Sequence, residues 1–384
     1  MAQAPKARDL RSVIAVFGPL GWRAIGGPAV HVALMEREIV RKRHWLERAE
    51  FGRLFAACNL MPGPGSTQLA LLLGLRRAGV AGMLMAALLF IGPAVLIMLG
   101  LAEFYRHVGA NHQVQLVLLG VDAAVVGIVA RAALDLSLLS RRGVVGIAVA
   151  CAALAVALVG VNPIAILAGG GVIAYAIWIV RNGIGNRHGT GHAGSVAPWI
   201  AAIHVPVVAP GLLPLGLTFL KIGAIAFGSG YVLLPLLHAD FVGGTFHLTE
   251  RQVADAFGLS QVTPGPVFAV AAFLGVQISG LPGGIVAALA IFAPSLVYVP
   301  LVSVVMRITE SYPALRAALD GVVSAAVGLI AYACVTLARA AFIGPLEVAV
   351  ALVVFAMLLR WPRAQPAGVL IGLFAGLLIL ATMH

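Results

Sequence analysis

The chain has 384 residues, 61% of them apolar and 10% charged, with a mean hydropathy of +1.04 and a formal net charge of +11. A soluble domain carries about 25% charged residues, so the polar groups here are too few to coat a water-soluble particle. Nucleic-acid binding is excluded as well, because Lys and Arg stand in short loops between apolar stretches rather than in a basic run with interleaved aromatics.

Taken in order, the chain opens on a basic lead, residues 1–12, with no small-residue cleavage site, which reads as a cytoplasmic tail. The first apolar stretch, 13–35, contains Arg23 and is interrupted at Gly26-Gly27-Pro28; His31 and Glu36 follow. Such an interruption allows either close helix packing or a broken helix. The 36–53 loop holds Arg37, Arg41, Lys42, Arg43, Arg48 and Arg53. The next apolar stretch, 51–75, is broken at Pro62-Gly63-Pro64, with Asn59 before the break and Gly65, Ser66, Thr67 and Gln68 after it. Proline lacks an N–H and glycine permits backbone angles other residues avoid, so the triplet stops a helix. Unpaired backbone groups at membrane depth are tolerated only inside protein or beside a wet cavity. A half-helix starting near Pro64 would aim the N–H groups of Gly65, Ser66 and Thr67 at the break, an arrangement that attracts anions. The side chains of Ser66, Thr67 and Gln68 add donors. The plainer alternative is a kink that serves packing alone, since Pro and Gly are common in membrane helices.

Further apolar stretches carry Asp122 and the pair Arg131 and Asp135, which are spaced to meet on one helix face. The three cysteines, Cys58, Cys151 and Cys334, are scattered with no metal-ligand spacing. Residues 1–180 read as a first transporter repeat, 181–198 as a polar, flexible linker, 199–218 as an extra connecting transmembrane segment, and 219–384 as a second repeat. In the second repeat Lys221 precedes Gly228-Ser229-Gly230, and Pro235, His238 and Asp240 follow. Lys221 is expected either to face an aqueous cavity and offset an anion's charge, or to snorkel to an interface. Gln261 and Thr263 lead into Pro264-Gly265-Pro266, but Val267 and Phe268 come next, so this break is less polar than the first. Asp320 is a candidate proton-coupling carboxylate.

The two repeats align at a nearly fixed offset. Pro62 and Pro264 are 264 − 62 = 202 apart, as are Phe17 and Phe219, Gly21 and Gly223, and Gly26 and Gly228. After one deletion the offset is 201, pairing Gly74 with Gly275, Gly79 with Gly280, Gly82 with Gly283 and Pro93 with Pro294. The basic 36–53 loop contrasts with its counterpart 238–252, which has Asp240, Glu250 and Arg251. Opposite charge bias in matching loops predicts opposite sides of the membrane. The expected fold is therefore an all-α polytopic membrane protein with two inverted-topology repeats and broken or re-entrant helices.

These residues resemble the chromate ion transporter family in its long, two-domain form. The likeness rests on IGGPAVHV (25–32) and LMPGPGSTQLA (60–70) in the first half, and on FLKIGAIAFGSGYVLLP (219–235), TPGPVFAVAAFLG (263–275) and IFAPS (291–295) in the second. Two positions depart from the family pattern: Ile25 stands where phenylalanine is usual, and Gly228-Ser229-Gly230 where three glycines are usual. The resemblance implies export of chromate across the cytoplasmic membrane, conferring chromate resistance and driven by the proton-motive force. Sulfate, a dianion of the same shape, is an alternative substrate. Expected partners are the lipid bilayer and a small oxyanion, with a homodimer allowed. No enzyme activity, cofactor or metal is expected. Competing readings are an oxyanion channel and a membrane subunit of a multi-component oxyanion importer.

Overall fold

A computed structural model describes residues 8–109, 111–139, 143–182, 211–227, 230–242, 246–362 and 364–382. These residues are helical, with no strand among them beyond isolated bridges. In chain order the helices are α1 (Arg8–Arg23), α2 (Pro28–Glu36, extended by a π turn Arg37–Lys42), α3 (Arg48–Asn59), α4 (Gly65–Val108), α5 (His112–Leu139), α6 (Gly143–Leu158) and α7 (Pro163–Asn182). The second half holds α8 (Leu212–Ile225), α9 (Leu233–Phe241), α10 (Glu250–Val262), α11 (Val270–Ser311, preceded by a 3-10 turn Val267–Ala269), α12 (Pro313–Ala341), α13 (Pro345–Arg360) and α14 (Gln365–Thr382).

Among the described residues five helical stretches are long and apolar enough to cross a membrane: Gly65–Val108, His112–Ser137, Pro163–Asn182, Val267–Ile308 and Pro313–Ala341. Large apolar side chains such as Leu84, Leu88, Leu96, Leu289 and Phe374 point outward, as expected where the solvent is lipid. Residues 183–198 of the expected linker and 199–210 of the expected connecting segment lie outside the described residues, while Arg181 and Asn182 end α7. The remainder of that segment does not stand apart, because helix α8 runs unbroken across the expected boundary at 218/219.

At about 1.5 Å per residue, the 44 residues of α4 would reach about 66 Å if straight, twice the hydrocarbon thickness. They fold back instead. Ala78 (φ −140°, ψ 24°) and Gly79 (φ 65°, ψ −155°) leave helical geometry, and Gly74 packs against the backbone of Gly82 across the turn. Any Cβ at either glycine would strike the opposing carbonyl. Residues 65–77 are thus a short arm, and 80–108 a full crossing. α11 repeats the device with Ser279 (φ −138°, ψ 25°), Gly280 (φ 64°, ψ −164°) and the packed pair Gly275 and Gly283.

Ion pairs show where the arms lead. Glu50, at the head of α3, bonds Arg76, at the tail of the 65–77 arm. Run straight through, those 26 positions would separate them by about 39 Å, so the chain enters and returns to the same end. Arg77 pairs with Asp9 at the start of α1 and lies 4.9 Å over the Trp45 ring, bringing α1 and the segment after α2 to that end too. The arms of the second half open elsewhere. Gln277 Nε2 donates to Ala102 O (2.9 Å) and Tyr105 Oη to Asp255 Oδ2 (2.6 Å). The α10 and 270–278 arms therefore open at the far end of the 80–108 crossing.

Candidate functional site

Four interruptions of regular helix meet at one place. Gly63 N donates to Ala226 O (2.6 Å), and Gly265 N donates to Ala24 O (2.8 Å). Antiparallel bridges join Ile25 to Pro264 and Pro62 to Phe227. The same offset relates these contacts, since 24 + 202 = 226 and 63 + 202 = 265. Each Pro-Gly-Pro is therefore docked on the glycine-rich break of the opposite half. Gly63 and Gly265 adopt φ 109° and 97°, angles that L side chains rarely tolerate.

Between the breaks lies a cavity of about 20 Å³. Pro28 and His31 line it from the first break and Asn59, Pro64, Gly65 and Ser66 from the second; Gly230, Pro266, Val267 and Phe268 complete it. The first intrahelical bond of α4 runs from Gln68 N to Pro64 O (2.9 Å), so the N–H groups of Gly65, Ser66 and Thr67 have no intrahelical acceptor. Across the cavity, Ala269 N bonds Pro266 O (2.9 Å) and the N–H groups of Val267 and Phe268 stand ahead of that bond. Two helical N-termini thus converge, and each carries a partial positive charge.

The side chains around the breaks hold more hydrogen-bonding capacity than they use. Thr67 Oγ1, Gln68 Oε1, both amide atoms of Gln261 and Ser295 Oγ are buried with no protein partner among the described residues. Leaving such a group unsatisfied costs about 1–3 kcal/mol. Gln68 Nε2 is committed to Pro62 O, which splints the first break. Asn59 Oδ1 lies against Gly65. Thr263 Oγ1 turns back to Ser260 O (3.2 Å) and Met98 Sδ (3.7 Å).

His31, 1% exposed, bridges the two breaks of the first half. Its Nε2 is 3.1 Å from Ala24 O and its Nδ1 3.3 Å from Ser66 Oγ. A carbonyl only accepts, so Nε2 carries the hydrogen, and in the neutral ring Nδ1 accepts from the Ser66 hydroxyl.

Other expected site residues stand apart. Lys221 Nζ is 2.7 Å from Asp240 Oδ1, tying α8 to α9, and the cavity lining does not include it. Gly228 and Ser229 lie outside the described residues. Gly27 packs against Tyr231 and donates its N–H to Gln365 Oε1, while Gly26 packs against the Gln365 side chain. Gln365, at the head of an apolar helix, was not singled out from sequence; a lone amide there was its only signal. Asp320 lines a separate cleft with Arg181, between α6, α7 and α12. Among the described residues no group of three or more His, Cys, Asp or Glu is placed to hold a metal.

Spanning helices around re-entrant arms, meeting at a buried polar cavity, define a multi-pass transporter of the cell membrane. The chain belongs to the chromate transporter family, whose model, described as "Chromate transporter", matches residues 11–175 and 213–380. The chromate transport protein of Cupriavidus metallidurans is 31% identical over 380 residues, covering 95% of this chain and 93% of that one. A probable chromate transport protein of Synechococcus elongatus is 31% identical over 347 residues, covering 87% and 86%. The chromate transport protein of Pseudomonas aeruginosa is 30% identical over 335 residues, covering 84% and 79%. No solved structure matches the chain.

Proposed function

We propose that the protein exports chromate across the cytoplasmic membrane as a proton-coupled secondary transporter, with sulfate competing for the same site. The observation that carries this reading is the convergence of two helical N-termini on one buried cavity, which His31, Asn59 and Ser66 line with polar side chains. Backbone N–H groups and hydroxyls suit a tetrahedral dianion and discriminate little between chromate and sulfate. The cavity has room for about one water, so it corresponds to an occluded state that must widen to admit an ion. Inverted repeats supply the movement: two sets of arms that open at opposite ends of one crossing can rock against each other and expose the cavity alternately. The end carrying Arg76 and Arg77 is assigned to the cytoplasm, following the bias of basic loops.

The test uses purified full-length protein in sealed vesicles. Labelled chromate should accumulate when a proton gradient is imposed, and unlabelled sulfate should reduce it competitively. Flux that follows the chromate gradient alone, unaffected by the proton gradient, would establish a channel instead. A requirement for a second protein and nucleotide would establish the importer subunit.

A further inference from the structure

One buried cluster outside the cavity has no part in holding the anion. Asp122 on α5 and Asp255 on α10 are 4% and 0% exposed and face each other where the two helices meet. The helices meet closely there: a Cβ on Gly258, one turn beyond Asp255, would lie 2.6 Å from Asp122 Oδ1. Tyr105, at the end of α4, donates its hydroxyl to Asp255 Oδ2 (2.6 Å). Arg251 Nε stands 4.0 Å from that oxygen, while its Nη2 is committed to Gln115 O (2.7 Å). Asp255 Oδ1 has no donor among the described residues. On α11 the Gln277 amide is committed to Ala102 O, and no charged group of α12, α13 or α14 acts on the pair.

Two ionised carboxylates are acceptors only, so neighbours buried together can bond each other only through a shared hydrogen. With one proton the pair carries a single negative charge beside Arg251. Without it two adjacent like charges lie buried, an arrangement that neighbouring carboxylates avoid. We propose that Asp122 and Asp255 share one exchangeable proton and that this proton is the coupling ion of the transporter. The inference rests on the proton-coupled reading above and names its site.

The position suits the task. Asp122 lies ten residues into α5, about 15 Å from its His112 end, on the side opposite Arg76. Asp255 lies eight residues before Thr263, about 12 Å along one rigid helix from the second Pro-Gly-Pro. A proton arriving from that side adds to one carboxylate, breaks no covalent bond, and pins α10 to α5. Its departure restores the second charge and drives α10 away from α5. That displacement pulls Gly265 from Ala24 O, one of the two hydrogen bonds closing the central cavity.

Two measurements on the full-length protein test the proposal. In vesicles, Asp122→Asn and Asp255→Asn should each lower proton-gradient-driven chromate accumulation at least about tenfold, with chromate–chromate exchange kept within about threefold. Accumulation that survives in both variants, or that falls in step with exchange, overturns the proposal. Infrared difference spectra of the wild-type protein across a pH titration should contain one protonated-carboxyl stretch that either substitution removes. A wild-type titration with no such band overturns the proton site whatever the flux shows. Wild-type protein that shows the band but carries no chromate overturns the functional reading and keeps the site.

Discussion

The two Pro-Gly-Pro breaks share a backbone and differ in chemistry. Both glycines hold similar positive φ, both donate to the opposite half, and both precede an arm that turns at a matching pair of residues. Around the first stand Gly65, Ser66 and Thr67, and Ser295 reaches Gly63 from the other half. The positions 202 further on are Val267, Phe268 and Ala269, and Ala94, which matches Ser295 at the 201 offset, lies against Gly265. The two breaks match in geometry and differ in side chains, and under the proposed function the first is the one that holds the anion. After the second come backbone N–H groups beside apolar side chains, and its polar residues, Gln261 and Thr263, stand before the triplet.

The harshest way to break this comparison is to replace Pro62-Gly63-Pro64 by three alanines. Helix α3 should then run on, and vesicle transport should fall by about 100-fold or more while membrane insertion, followed by protease protection, stays normal. The single glycines should separate the halves more finely. A Cβ at Gly265 would lie 2.6 Å from the Ala94 Cβ, whereas at Gly63 it meets the movable Gln68 amide. Gly265→Ala should therefore destabilise the purified protein more than Gly63→Ala, by about 1–3 kcal/mol in a denaturation series. Smaller again, Ser66→Ala should weaken chromate binding by about tenfold in a direct binding assay, because it removes the hydroxyl that would turn from His31 Nδ1 to donate to the anion. Phe268→Ala should change affinity little. Lys221→Ala should leave affinity unchanged and lower the melting temperature, because it strands Asp240 beside α8; Lys221→Ala with Asp240→Ala should recover much of the loss.

Much of the architecture was legible because it is written in Gly and Pro. These residues act on their own backbone, so Pro62-Gly63-Pro64 and its copy locate the breaks without knowledge of neighbours. What could not be read depends on partners distant in sequence. From the sequence Lys221 could face a cavity or snorkel to an interface; in the fold its ammonium lies on Asp240. Gln365 is an isolated amide in the sequence and a brace for Gly27 in the fold. Asp255 attracted no notice, because a carboxylate near a loop gives no sign of another carboxylate on α5. The matched pair Gly79 and Gly280 was visible, but not that each forms the apex of a helical hairpin, which depends on Gly74 meeting Gly82 and Gly275 meeting Gly283.

The crossed pair of amide bonds, Gly63 to Ala226 and Gly265 to Ala24, means that neither half is self-sufficient. A fragment ending at residue 182 would present one donor and one acceptor with nothing opposite, and a fragment starting at 211 would present the complementary two. Such pieces, made together, should find each other and rebuild the centre, whereas either alone would leave its inner face unmatched. Mutual completion of this kind keeps the two halves a single working unit.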